Sequence, residues 1–231
     1  MSRIVHTSRS LALLAGLVMF GGVAVAPAMA ATITYKFSGT VTGVGNQLSP
    51  PPPPFGTSGP ASAMSGSITV NTTDNTSGGL NGSYTIEGFQ VTIGSYNAAF
   101  GPAGVVNIRN GSGGGAGVDR FEVAVNSPTG NIVNFLAPRL FDIGLRGPGS
   151  TFSSDALPTT VPSLSSFNNQ NQFRFLFGPA GQGTGQRTVS GFLTSLTAVP
   201  LPTSVILFGI GLVALIGLGA GGLRNLRLPQ A

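Results

Sequence analysis

No cysteine and no tryptophan occur in the 231 residues, and the single histidine is His6, within the first thirty. Without cysteine the chain has no disulfide, no thiolate nucleophile and no thiolate-ligated metal. With no histidine after position 6, Ser-His-Asp and Cys-His catalysis are excluded from the rest of the chain, and so are histidine-ligated zinc sites. Charge is scarce as well: 7% of residues are charged, and six are acidic. The catalytic chemistry left open is that of a carboxylate pair. Stability has to come from core burial and sheet hydrogen bonding.

The sequence pI of about 10.8 suggests a polyanion binder until the charges are sorted by position. Arg3 and Arg9 lie near the start, and Arg224 and Arg227 near the end. Between Ala31 and Ala198 stand seven basic residues (Lys36, Arg109, Arg120, Arg139, Arg146, Arg174, Arg187) and six acidic ones (Asp74, Glu87, Asp119, Glu122, Asp142, Asp155). That segment is net +1 and is expected to carry no basic cluster, so neither a phosphate-binding surface nor a nucleic-acid partner is expected. The basicity belongs to the two ends.

What the chain has in quantity is glycine, 36 residues, together with proline, threonine, serine and asparagine. In "ATITYKFSGTVTGV" the apolar Ile33, Tyr35, Phe37 and Val41 alternate with Thr32, Thr34, Lys36, Ser38, Thr40 and Thr42. Such period-two patterning with β-formers predicts a half-buried strand with one wet face. Similar runs recur at Ser67–Val70, Tyr84–Ile86 continuing to Phe89–Ile93, Val105–Arg109, Phe121–Val125, Leu140–Leu145, Phe173–Phe177 and Val189–Leu196. The phase slips at Gly88, as at a bulge. No segment between 31 and 198 keeps a helical period. Eight or so short strands predict an all-β fold, an antiparallel β-sandwich or flattened barrel. The proline run at Ser49–Gly56 reads as a stiff surface loop, and "NGSGGGAG" as a hairpin tip.

The two ends read as addresses. Arg3 and Arg9 precede an uncharged run, Leu11–Val25, and Ala28 and Ala30 place small residues at both cleavage-determining positions. This predicts a secretory signal peptide over 1–30, cut after Ala30, with the secretion translocon and signal peptidase as partners. Val205–Leu223 carries no charge over 19 residues. A helix of that length spans roughly 29 Å, about the hydrocarbon thickness of a bilayer. Arg224 and Arg227 follow as a stop-transfer tail, which orients the preceding chain outward. Gly217 and Gly221 carry the GxxxG spacing of close helix approach, though generic glycine content explains it as well. Immediately upstream, Val199, Pro200, Leu201 and Pro202 predict an extended, unpaired tetrapeptide, because each proline fixes φ and lacks an N–H.

A Val-Pro-x-Pro motif, a Gly/Leu-rich span and an arginine-containing tail at the C-terminus resemble the PEP-CTERM sorting signal. Leu201 stands where the family usually has glutamate. The resemblance covers 199–231: motif 199–202, transmembrane helix 203–223 and basic tail 224–231. It implies recognition by an exosortase, an integral-membrane cysteine protease, near Pro200–Pro202. It also implies transient anchoring in the inner membrane of a Gram-negative bacterium, then release to the cell surface or exterior, where exopolysaccharide is a candidate partner. The segment 31–198 is then the exported cargo, expected to be non-enzymatic, without metal or cofactor, and structural or adhesive.

Two alternatives stay open. One is a binding module for glycan, ice or Ca²⁺, using the Thr32–Thr42 face or Asp74 in "NTTDNTSGG". A plain turn, in which Asp and Asn bond their own backbone, competes with the calcium reading. The other is a hydrolase using two of the six acids. Asp119 and Glu122, three apart on one strand, are expected on opposite faces.

Overall fold

The computed structural model describes residues 32–48, 54–76, 79–101, 103–111, 117–178 and 187–200. The expected signal peptide with Ala28 and Ala30, the motif residues Leu201 and Pro202, the transmembrane helix and the tail with Arg224 and Arg227 lie outside the described residues. So do residues 49–53 of the proline run and 112–116 of the glycine-rich tip.

Among the described residues there is no α-helix. Ten strands follow in order: β1 (Thr32–Val44), β2 (Ala63–Asp74), β3 (Asn81–Ile93), β4 (Tyr96–Ala99), β5 (Ala103–Arg109), β6 (Val118–Asn126), β7 (Thr129–Gly130), β8 (Pro138–Pro148), β9 (Gln170–Phe177) and β10 (Thr188–Pro200). All pairings are antiparallel, in the order β2-β1-β10-β9-β8-β6-β5-β3, and β3 pairs back to β2. The sheet therefore closes on itself as an eight-stranded barrel, with β4 beside β3 and β7 beside β4. Between a sandwich and a barrel, closure decides: β1 pairs with β10 from Ile33–Pro200 to Val44–Val189, leaving neither strand as a sheet edge.

Each strand expected from patterning falls within β1, β2, β3, β5, β6, β8, β9 or β10. The bulge at Gly88 is present: Thr69 faces Gly88, Val70 faces Ile86, and Glu87 is the extra residue. The sequence reading missed β4 and β7, which at four and two residues are too short to show a period.

An eight-stranded barrel has an interior just wide enough for side chains to fill it. Here aromatic rings fill it. Ile33, Tyr35, Phe37 and Val41 of β1 point inward, and their neighbours face out. Phe141 of β8 lies 4.9 Å from Phe89 of β3 and 5.7 Å from Phe175 of β9, while Tyr35 meets Phe121 of β6 edge-on at 5.4 Å. Such pairs each add about 0.5–1.5 kcal/mol beyond area burial. Two glycines make room for these rings. Gly66 pairs with Phe37, and a Cβ there would overlap that ring and the Gln90 carbonyl; Gly191 pairs with Phe173, whose ring would stand 2.6 Å from an added Cβ.

Both barrel ends are plugged. At one, Leu48 and Phe55 are buried, and Phe55 packs on Tyr96 and Phe177. The end of the proline run is thus an anchor rather than the surface loop expected from its composition. At the other end, the β8–β9 connection buries Phe152, Leu157 and Phe167. It is tied down by hydrogen bonds from Tyr35 Oη to the Pro158 carbonyl and from Tyr84 Oη to the Asp155 carbonyl, both 2.9 Å.

Candidate functional site

With the lumen filled, the surfaces offered to partners are on the wall. The outward residues of β1 and its neighbours form rows of hydroxyls. Thr34 lies opposite Thr69, Lys36 opposite Ser67 and Ser38 opposite Ser65, and the rows run on to Gln90 and Thr92 of β3. Several hydroxyls are bound to one another: Thr34 Oγ1 lies 3.1 Å from Thr69 Oγ1, and Ser38 Oγ lies 2.6 Å from Ser195 Oγ. The wet face expected over Thr32–Thr42 is therefore the outer wall, and it is curved because the barrel is closed.

A groove of about 670 Å³ runs over β9, β10 and the end of β1. Phe192 lies in it, 43% exposed, flanked by Asn171, Gln172, Arg174, Thr188 and Ser190. The groove exists because β9 and β10 part company: their ladder ends at Gly191–Phe173. Past that point the Asn171 side chain acts as a substitute strand, accepting from Leu193 N at 3.0 Å and donating to the Leu193 carbonyl at 2.9 Å. On the groove's far side Arg174 grips Asp142 with two bonds, Nε to Oδ1 at 2.9 Å and a terminal nitrogen to Oδ2 at 2.8 Å. Burial pushes the Asp142 carboxyl above its ordinary range; the bond and charge of Arg174 oppose the rise, and the Glu122 charge adds to it. An aromatic face among amides and hydroxyls suits a hydrated, partly apolar ligand such as a sugar ring.

The carboxylates take separate places. Asp119 is fully buried and accepts from Gly111 N and Phe152 N, both at 2.6 Å, while Glu122 faces out, as their spacing requires. Glu122 Oε1 meets Arg146 at 3.2 Å and Arg120 at 3.7 Å. Glu87 accepts from Asn71. Asp74 Oδ1 accepts from Thr76 N, Thr76 Oγ1 and Ser83 N at 2.7–2.9 Å. Slight desolvation raises the Asp74 pKa, but these three bonds together outweigh it and leave the group below its ordinary value. Asp74 thus staples the turn that leaves β2, and within the end of β2 Asn71 Oδ1 likewise accepts from Thr73 N. Among the described residues no group of three or more Asp, Glu, His or Cys could hold a metal ion. Arg174 thus pairs with Asp142, and Arg146 with Glu122.

Two residues of the motif, Val199 and Pro200, are extended, but they are not unpaired: they form the last rungs of β10, opposite Thr34 and Ile33. Sequence reasoning missed Phe192. It sits in "SGFLTSL", where Phe192 and Leu193 are adjacent and either could be the inward residue; only the register with β1 sends Leu193 in and Phe192 out. No protein-family model, no curated protein and no solved structure matches this chain.

Proposed function

We propose that this chain is an exported protein whose barrel is a structural or adhesive cargo of the cell surface or extracellular matrix, non-enzymatic, and sorted through its C-terminal signal by an exosortase. The reading rests on a secretion-type N-terminus and a sorting-type C-terminus flanking a body that lacks cysteine and histidine. The observation that carries its non-enzymatic part is the use of the carboxylates: Asp119 holds backbone, Asp74 staples a turn, and Glu122 and Asp142 are held by arginines. A wall of hydroxyls and amides with little charge supports residence in a hydrated polysaccharide.

Cell fractionation with intact-mass measurement tests this. The expected product lacks the first 30 residues and the chain beyond about Pro202, and it partitions to the surface or medium. A full-length cytosolic product overturns the proposal, and a product that keeps its tail in the inner membrane overturns the processing part alone.

A second reading, a glycan-binding module, is favoured by Phe192 in its groove. Phe192→Ala abolishes retention on the cognate polysaccharide if the groove binds sugar, and leaves it unchanged if the wall acts only as a bulk hydrated surface. The curvature of a closed barrel does not suit the flat lattice that ice binding requires.

A further inference from the structure

Along the sequence the arginines are scattered; the fold gathers three of them. Register places Asn81 of β3 opposite Arg109 of β5, Arg109 opposite Arg120 of β6, Arg120 opposite Arg146 of β8, and Arg146 opposite Gln170 of β9. All five are on the outer wall, near the barrel end where β10 finishes. Neighbouring strands are about 4.8 Å apart, so three guanidinium-bearing residues stand in consecutive rungs of one row. Like charges directly opposite one another destabilise a sheet. A single carboxylate, Glu122 in the next row, serves Arg120 and Arg146, and Arg109 has no salt bridge among the described residues. Arg120 Nε and Arg146 Nε are buried without a hydrogen-bond partner. Beside the row a cleft of about 290 Å³ is lined by Asn81, Ser83, Asn107, Arg109, Arg120 and Glu122.

We propose that this arginine row and its cleft bind an acidic polysaccharide, with sugar carboxylates on the guanidiniums of Arg109, Arg120 and Arg146, and sugar hydroxyls on Asn81, Asn107 and Glu122. Excess cationic charge calls for an anion, and the planar guanidinium fork matches a carboxylate with two parallel bonds. Glu122 selects among anions. It is an acceptor in the middle of the site, so it repels a ligand that brings only negative charge and suits one that also brings O–H donors. A uronic-acid polymer brings both on every residue, whereas the phosphodiesters of duplex DNA bring charge and no donor for Glu122. The proposal rests on the matrix-associated reading above and narrows it to a class of partner.

The test is binding of the protein isolated from its own cells to polygalacturonate, neutral dextran, duplex DNA and phosphatidylglycerol vesicles. Polygalacturonate is expected to bind, dextran not, and affinity to fall severalfold between about 50 and 200 mM salt. Arg109→Gln and Arg120→Gln are each expected to weaken binding about tenfold, while Arg139→Gln, the same charge loss at an exposed site at the start of β8, leaves it unchanged. Thermal melts separate lost binding from lost folding: the two row variants are expected to melt no lower than Arg139→Gln, because each relieves like-charge repulsion in the row. Equal affinity for dextran, equal loss in Arg139→Gln, or tighter binding to DNA or vesicles overturns the proposal. None of these results touches fractionation or processed mass, so the site can fail while the export reading stands; a cytosolic product sinks export whatever the affinity.

Discussion

Phe37 on β1 and Phe141 on β8 stack at 5.8 Å with their planes 24° apart, although β10 and β9 separate their strands along the wall. The contact crosses the lumen. It makes the barrel a packed core rather than a container, and it ties opposite walls together.

Phe141 touches Phe37, Phe89, Phe173 and Phe175, so Phe141→Ala leaves a cavity at the barrel's centre. The expected loss is about 3–5 kcal/mol, read from the denaturant midpoint at unchanged slope. A loss under about 1 kcal/mol would mean that the rings are not packed through the lumen.

Asp119 joins the β5–β6 turn to the β8–β9 connection by accepting from Gly111 N and Phe152 N. Asp119→Ala orphans two backbone donors, at about 1–3 kcal/mol each, and frees the plug over that barrel end. Hydrogen exchange should show the 149–169 connection losing protection first. Asp119→Asn, which keeps one carbonyl acceptor, is expected to fall between the two.

The three tyrosines are all buried, and none should titrate near 10 in the folded protein. Burial pushes Tyr96 up to about 12 and Tyr35 higher, with the Tyr84 charge adding to the rise at Tyr35. Tyr84 is raised by burial and by the charges of Asp74 and Asp155, with a backbone bond at Leu157 opposing. These folded values exceed the unfolded one. The contribution to stability is therefore complete below about pH 10 and is lost as pH climbs from about 10 to 12, because the unfolded chain then holds fewer protons. Absorbance near 295 nm should stay flat up to the alkaline unfolding transition and rise with it. A tyrosine that ionises near 10 while the far-ultraviolet spectrum is still native contradicts the burial.

Val133 and Leu136 bridge a two-residue turn in which Asn134 and Phe135 both have positive φ, 51° and 64°, and Phe135 is fully exposed. That is the geometry for which Asn-Gly is preferred. Phe135→Gly removes left-handed strain of about 1–2 kcal/mol and loses no packing, so the melting temperature should rise by a few degrees. A drop would show that the ring has a partner in the folded protein.

Much of this protein was legible locally. Alternation in "ITYKFSGTV" separates inward Tyr35 and Phe37 from outward Lys36 and Ser38, because a strand turns successive side chains to opposite faces. The same parity separates Asp119 from Glu122. The absence of cysteine, and of histidine after His6, narrows the chemistry before any fold is known. The prolines of 199–202 predict free chain, yet Val199 and Pro200 are paired. A proline removes only one donor, and a strand end tolerates that.

What only the tertiary structure decided is long-range. Whether eight strands stack as a sandwich or close as a barrel depends on β1 meeting β10, from Val44 opposite Val189 to Ile33 opposite Pro200, and no local pattern encodes that pairing. The arginine row, the exposure of Phe192 and the plug under Asp119 have the same origin. Each depends on which rung of one strand lies beside which rung of another, and register is set by the whole core at once, since a one-residue slip would turn a strand's buried face out to water.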